Sequence, residues 1–215
     1  MKRNILLGLV GVMVAACGTM DSAGPSMNPL FGGPPPPPPQ PTTYSGRATV
    51  LSARVLLVRA TIGDTGPLSA SGGAKSLDLL TVQVPGIIGA GVAHAETQGG
   101  NDLASSEATV ANVSLGLLGV GIAAQLIGSH TGAVCEGGSE AVSGGSDIAG
   151  LVINGQSITV TGAPNQTIQV PGGRVVINEQ TRTSDSITIS ALRVVLNGLA
   201  DVVVSQTHSD IHCGN

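Results

Sequence analysis

Only two aromatic side chains, Phe31 and Tyr44, occur in 215 residues, and there is no tryptophan. Beyond residue 44, any core must be built from Val, Ile, Leu and Ala. Each of these buries less area than a ring, so many must pack together. Such side chains fit extended, pleated backbone, and 32 glycines supply tight turns between short strands. From Tyr44 onward, β-type text recurs over 48–58, 76–84, 108–118, 148–160, 174–179, 186–196 and 201–207. Asn154-Gly155, set between Leu151-Val152-Ile153 and Ser157-Ile158-Thr159-Val160, predicts a hairpin. Period-two alternation runs through Ser186-Ile187-Thr188-Ile189-Ser190-Ala191. The expected fold is all-β, a β-sandwich or jelly-roll-like domain over 44–215. A β-solenoid is the alternative, but no fixed repeat period supports it.

The first 43 residues read differently. Lys2 and Arg3 precede an apolar stretch from Ile5 to Ala16, which is too short to span a bilayer and has the length of a signal-peptide core. It ends Val14-Ala15-Ala16-Cys17, and small residues before a cysteine resemble the lipobox of bacterial lipoproteins. That resemblance implies a signal peptide over 1–16, cleavage before Cys17, and lipid on its thiol. The membrane then becomes a partner through acyl chains worth about 0.8 kcal/mol per buried methylene. Gly18 rather than Asp follows the cysteine, which favours the outer membrane in a two-membrane cell. Residues 17–43 read as a disordered tether. Its six consecutive prolines, Pro34 to Pro39, impose a polyproline II rod of about 19 Å.

The apolar text at 115–128 could pass for a membrane helix. It is too short for one, and four glycines and Gln125 interrupt it. Two buried strands meeting near Gly119 account for it better. Two cysteines remain in the exported part, Cys135 and Cys213. One disulfide between them is expected, and it would pin the last strand.

The segment from Thr161 to Gln180 and the ending from Asp201 to Gly214, together with Tyr44-Ser45-Gly46-Arg47-Ala48 and the Asp64-Thr65-Gly66-Pro67-Leu68 turn, resemble the choice-of-anchor P family of bacterial surface proteins. The resemblance implies a surface domain held by an interchangeable anchor. It carries over no activity and no catalytic residue.

Site chemistry is sparse. The formal net charge is −4, and removal of Lys2 and Arg3 makes it more negative. The sequence contains no basic run, so nucleic acid is not expected as a partner. Gly-x-Ser-x-Gly and Walker patterns are missing, and Gly72-Gly73-Ala74-Lys75-Ser76 reads as a turn before a strand. Asn112-Val113-Ser114 and Asn165-Gln166-Thr167 match glycosylation sequons, which in a bacterial lipoprotein read as coincidence. Glu179 and Arg182 read as a surface ion pair. One constellation stands out. His208, Asp210 and His212 alternate along one strand and so share a face. They are weak candidate metal ligands, because the outer two lie about 13 Å apart in a straight strand. A metal would need a bend and a further ligand such as His130 or His94. The other reading is a polar outer face, with Ser209, Ile211 and Cys213 turned inward.

The expectation is therefore a non-catalytic envelope lipoprotein, without cofactor, that displays an all-β domain for structural, adhesive or ligand-binding use. Self-association or an envelope protein would be its partner. The rivals are an exported metal-dependent enzyme using His208, Asp210 and His212, and a periplasmic accessory lipoprotein.

Overall fold

A computed structural model describes residues 38–214. The signal peptide, Cys17 and most of the proline run lie outside the described residues. The chain forms β1 (Thr43–Val55), β2 (Val58–Asp64), β3 (Gly73–Leu79), β4 (Val82–Val84), β5 (Ile88–Ala90), β6 (Ala93–Gly100), β7 (Leu103–Leu117) and β8 (Val120–Glu136). It continues with β9 (Ser139–Ala149), β10 (Val152–Ile153), β11 (Gln156–Ser157), β12 (Gln166–Val170), β13 (Gly173–Arg182), β14 (Ser186–Leu196) and β15 (Ala200–His212). All these strands belong to one compact unit that begins at Pro39, slightly before the expected start at residue 44. No helix among the described residues is long and apolar enough to cross a membrane.

Two antiparallel sheets form the sandwich. One has six strands in the order β12-β13-β14-β15-β1-β2. The other is built on the long hairpin β7–β8, which turns at Leu118-Gly119 as expected. β6 and then β5 pair with successive parts of β7, while β9 and then β10 pair with successive parts of β8. The Asn154-Gly155 hairpin forms but spans only two residues per strand, and the text after Ser157 leaves the sheet. The expected strand over 48–58 is two strands, because the chain reverses at Leu56-Leu57.

The alternation of buried side chains slips by one residue partway along the strands. In β14 the inward set is Ile187, Ile189 and Ala191, followed by Leu192, Val194 and Leu196. In β15 Val202 and Val204 are followed directly by Ser205, Thr207 and Ser209. The slips align in one row, Asn178–Ala191–Ser205–Val50–Gly63, and the pairing register is the same on both sides of it. Every second strand crosses the row in the left-handed region, with φ of 54° at Asn178, 59° at Ser205 and 65° at Gly63. Asn112 in β7 (φ 54°) and Gly150 after β9 (φ 65°) mark the corresponding break in the other sheet.

The break separates two kinds of interior. On the side of the hairpin tips 56–57, 118–119 and 197–199 the core is aliphatic, including Leu51, Val55, Leu115, Leu117, Val120, Ile122, Leu192 and Val204. On the side where β1 begins, Val110, Ile127, Ile187 and Ile189 are joined by small and hydroxyl side chains: Gly46, Ala48, Thr97, Ser106, Ser129, Thr131, Ser205, Thr207 and Ser209. These hydroxyls bond between the sheets. Ser129–Ser205 and Thr131–Ser209 each meet at 2.8 Å, and the Ser106 hydroxyl donates to the His208 carbonyl at 2.7 Å. The sheets come so close here that a Cβ on Gly46 would sit 2.2 Å from Thr97 Oγ1. Tyr44, Ile211 and Cys135 close this end of the sandwich.

Candidate functional site

The alternation of β15 after Ser205 puts His208, Asp210 and His212 on the outer face, with Ser209 and Ile211 buried beneath them. The structure brings together only two of the three. His212 Nδ1 lies 3.3 Å from Asp185 Oδ2, and its Nε2 lies 3.6 Å from Asp210 Oδ1. Asp185 comes from the turn that opens β14. There the Thr183 hydroxyl donates to its carboxylate at 2.6 Å, and the Ile211 amide donates to its carbonyl at 3.1 Å. The Thr183 hydroxyl chiefly holds the Asp185 carboxyl below its ordinary pKa. One ligand atom from each of Asp185, Asp210 and His212 lies within 4.8 Å of the others. Two carboxylate oxygens and an imidazole nitrogen suit a borderline divalent cation. The same arrangement sets the imidazole between two carboxylates.

His208 is not part of this group. Its Nδ1 bonds Thr188 Oγ1 at 2.9 Å, and its cross-strand neighbour on β1 is Arg47, which is committed to Asp64. The grouping of possible ligand atoms around His212 accordingly leaves His208 out. Nor do the other two histidines join. His94 and His130 lie on the outer face of the opposite sheet, beside Asp78 (2.8 Å) and Asp147 (3.7 Å). The Asp78 carboxylate raises the pKa of the His94 imidazole. Next to His94, the exposed Leu80, Val92 and Leu126 line a shallow groove of about 350 Å³.

Cys135 and Cys213 form the expected disulfide, with Cα atoms 5.7 Å apart. It joins the end of β8 to the residue after β15 and thus ties the two sheets at the end where β1 begins. The amide of Gly214 donates to Thr42 Oγ1 at 3.3 Å, so the two ends of the folded unit meet there.

The opposite end of the sandwich carries charges that linear spacing hides. Although the sequence contains no basic run, Arg174, Arg54 and Arg59 fall in one cross-strand row with Val195 and Asp201, on the outer face of the six-stranded sheet. Strand register thus unites residues up to 120 positions apart in the sequence. Arg193, beside this row, bonds Asp201 through Nε (2.9 Å) and Nη2 (2.8 Å) and Glu179 through Nη1 (3.1 Å). The guanidinium holds Asp201 below the ordinary carboxylate range, and its own pKa is raised in turn. Glu179 is therefore paired with Arg193 and not with Arg182, which bonds Gln180.

Just past the arginine row the β1–β2 turn exposes Leu56, Leu57 and Val58, with Leu57 99% exposed. Leu199 from the β14–β15 turn is exposed beside them, and its carbonyl accepts the Leu56 amide at 2.7 Å. Comparison with protein-family models, with curated proteins and with solved structures finds no match.

Proposed function

We propose that the chain is a non-catalytic cell-envelope lipoprotein, lipidated on Cys17, that displays its all-β domain for adhesive or ligand-binding use at the outer membrane or cell surface. One observation carries this reading. The chain enters the sandwich at Thr43, and the hairpin tips bearing Leu56, Leu57 and Leu199 lie at the far end of β1, about 40 Å away along a strand of 13 residues. The exposed tips are thus remote, within the folded unit, from the point at which an upstream tether would join it. The Cys135–Cys213 disulfide is compatible with an oxidising compartment outside the cytoplasm. The resemblance to choice-of-anchor P proteins and the lipobox-like residues before Cys17 support the same reading.

Cell fractionation with surface proteolysis tests it. Wild-type chain should sediment with membranes and be cleaved on intact cells, and Cys17→Ser should release it from the membrane fraction. Retention of the Cys17→Ser chain in the membrane would refute the anchor. Cleavage only after the outer membrane is permeabilised would favour the periplasmic accessory role. The metal-dependent enzyme is the second reading, and the grouping of Asp185, Asp210 and His212 is the observation in its favour.

A further inference from the structure

We infer that the far end of the sandwich docks on an anionic phospholipid bilayer, with Leu56, Leu57 and Val58 entering its outer layer and Arg54, Arg59 and Arg174 meeting lipid phosphates. This names the partner of the displayed domain and rests on the tethered-display reading.

Two independent features coincide at this end. The first is apolar: Leu56 is 60%, Leu57 99%, Val58 49% and Leu199 48% exposed, on two turns joined by a backbone hydrogen bond. Exposing contiguous aliphatic side chains is unfavourable unless something apolar covers them. The second is charge. Arg54 and Arg59 face each other one residue pair behind the tip, and Arg174 lies in the same row. Strand spacing makes the row from Arg174 to Arg59 about 19 Å wide, which spans several lipid headgroups. Its single acid, Asp201, is already held by Arg193. A chain with net charge −4 thus presents positive charge beside Leu57, the most exposed large hydrophobic side chain among the described residues.

The order of the two features matches the layers of a bilayer surface. Leucines at the tip reach acyl chains, while arginines behind them extend their long stems toward the phosphate layer. A soluble phosphate would use the arginines but leave the leucines uncovered. Leu and Val are under-represented among the residues that carry protein–protein binding energy, and the described tips bear no aromatic side chain to supplement them.

The test is vesicle flotation with the chain from Gly18 onward, which keeps the whole compact unit and removes the lipidation site. It should float with phosphatidylcholine vesicles containing phosphatidylglycerol and not with phosphatidylcholine alone. Arg54→Ala combined with Arg59→Ala should weaken binding roughly 30-fold. Leu57→Asp should abolish flotation while leaving the thermal melt unchanged, since the side chain touches solvent alone. No flotation of the unsubstituted chain overturns the proposal. So does full retention of binding by Leu57→Asp, and so does an arginine dependence with no leucine dependence, which would indicate a soluble polyanion site. None of these outcomes affects fractionation of the Cys17→Ser chain, so failure here is distinct from failure of the anchor.

Discussion

Ser205 of β15 and Ser129 of β8 meet hydroxyl to hydroxyl at 2.8 Å across the interior of the sandwich, and Ser205 also donates to the Ala108 carbonyl at 2.7 Å. Ser205 is wholly buried and adopts φ 59°, where L-residues are strained. Valine there would leave two polar groups without their partner and place a β-branched residue in the left-handed region. Ser205→Val should destabilise the domain by about 3–5 kcal/mol, and Ser205→Gly by about 1–2 kcal/mol because it relieves the backbone. Urea denaturation measures both. Equal losses would show that the backbone region contributes nothing.

Arg193 gives the domain a dependence on acid pH. It depresses the pKa of Asp201, so the folded state holds that proton less tightly than the unfolded chain does. The stability contributed is present at neutral pH and is lost as pH falls through and below the ordinary carboxylate range. Asp64, lowered mainly by Arg47, acts in the same direction. Both pairs are partly open to solvent, which discounts their size. Asp201→Asn should flatten the fall in urea midpoint between pH 7 and pH 3. An unchanged profile would count against the Arg193–Asp201 coupling.

The fold class, the hairpin at Asn154-Gly155, the turn near Gly119 and the Cys135–Cys213 pair were legible in the sequence, because each depends on local turn chemistry, residue type or a choice between two cysteines. The alternation noticed from Ser186 stops at Ala191, and this is where the inward set slips to Leu192. A phase slip is visible in the text once the row of left-handed residues is known. The arginine row was not legible, since Arg54, Arg59 and Arg174 become neighbours only through pairing register. The same holds for Asp185, which reaches His212 only because β14 and β15 pair with Ser186 opposite Asp210.

The disulfide spans a sequence separation of 78 residues. In the chain-entropy model a loop of that size is worth about 4.5 kcal/mol. Replacing both Cys135 and Cys213 with Ser should lower the urea midpoint accordingly and speed amide exchange around Ile211, whose amide bonds the Asp185 carbonyl. A midpoint within error of the unsubstituted chain would mean that the denatured state is compact without the bond.

Asp185, Asp210 and His212 separate the binding reading from the metal-dependent enzyme. Both imidazole nitrogens of His212 already lie against carboxylates, Nδ1 3.3 Å from Asp185 and Nε2 3.6 Å from Asp210. Zinc would have to displace one of those contacts while holding only three protein atoms at an exposed position. Calorimetric titration with zinc should give no saturable heat at micromolar concentrations, and His212→Ala should not alter the trace. Saturable binding that disappears in His212→Ala would revive the enzyme.

Gly46 tests how closely the two sheets approach in the hydroxyl-lined half. A Cβ there would lie 2.2 Å from Thr97 Oγ1 and 3.1 Å from Ser106 Oγ, both of them buried. Thr97 and Ser106 are themselves hydrogen-bonded at 2.8 Å, so neither can rotate away freely. Gly46→Ala should therefore destabilise the domain by about 2–3 kcal/mol, within the range for overpacked interiors. Thr97→Ala removes the atom in the way, although it loses the bond to Ser106. If close approach is the cause, Gly46→Ala should cost less in the Thr97→Ala background than alone, with a coupling of at least about 1 kcal/mol. Strict additivity of the two losses would instead place the cost of Gly46→Ala in the backbone of β1, and the sheets would not be in contact through Thr97.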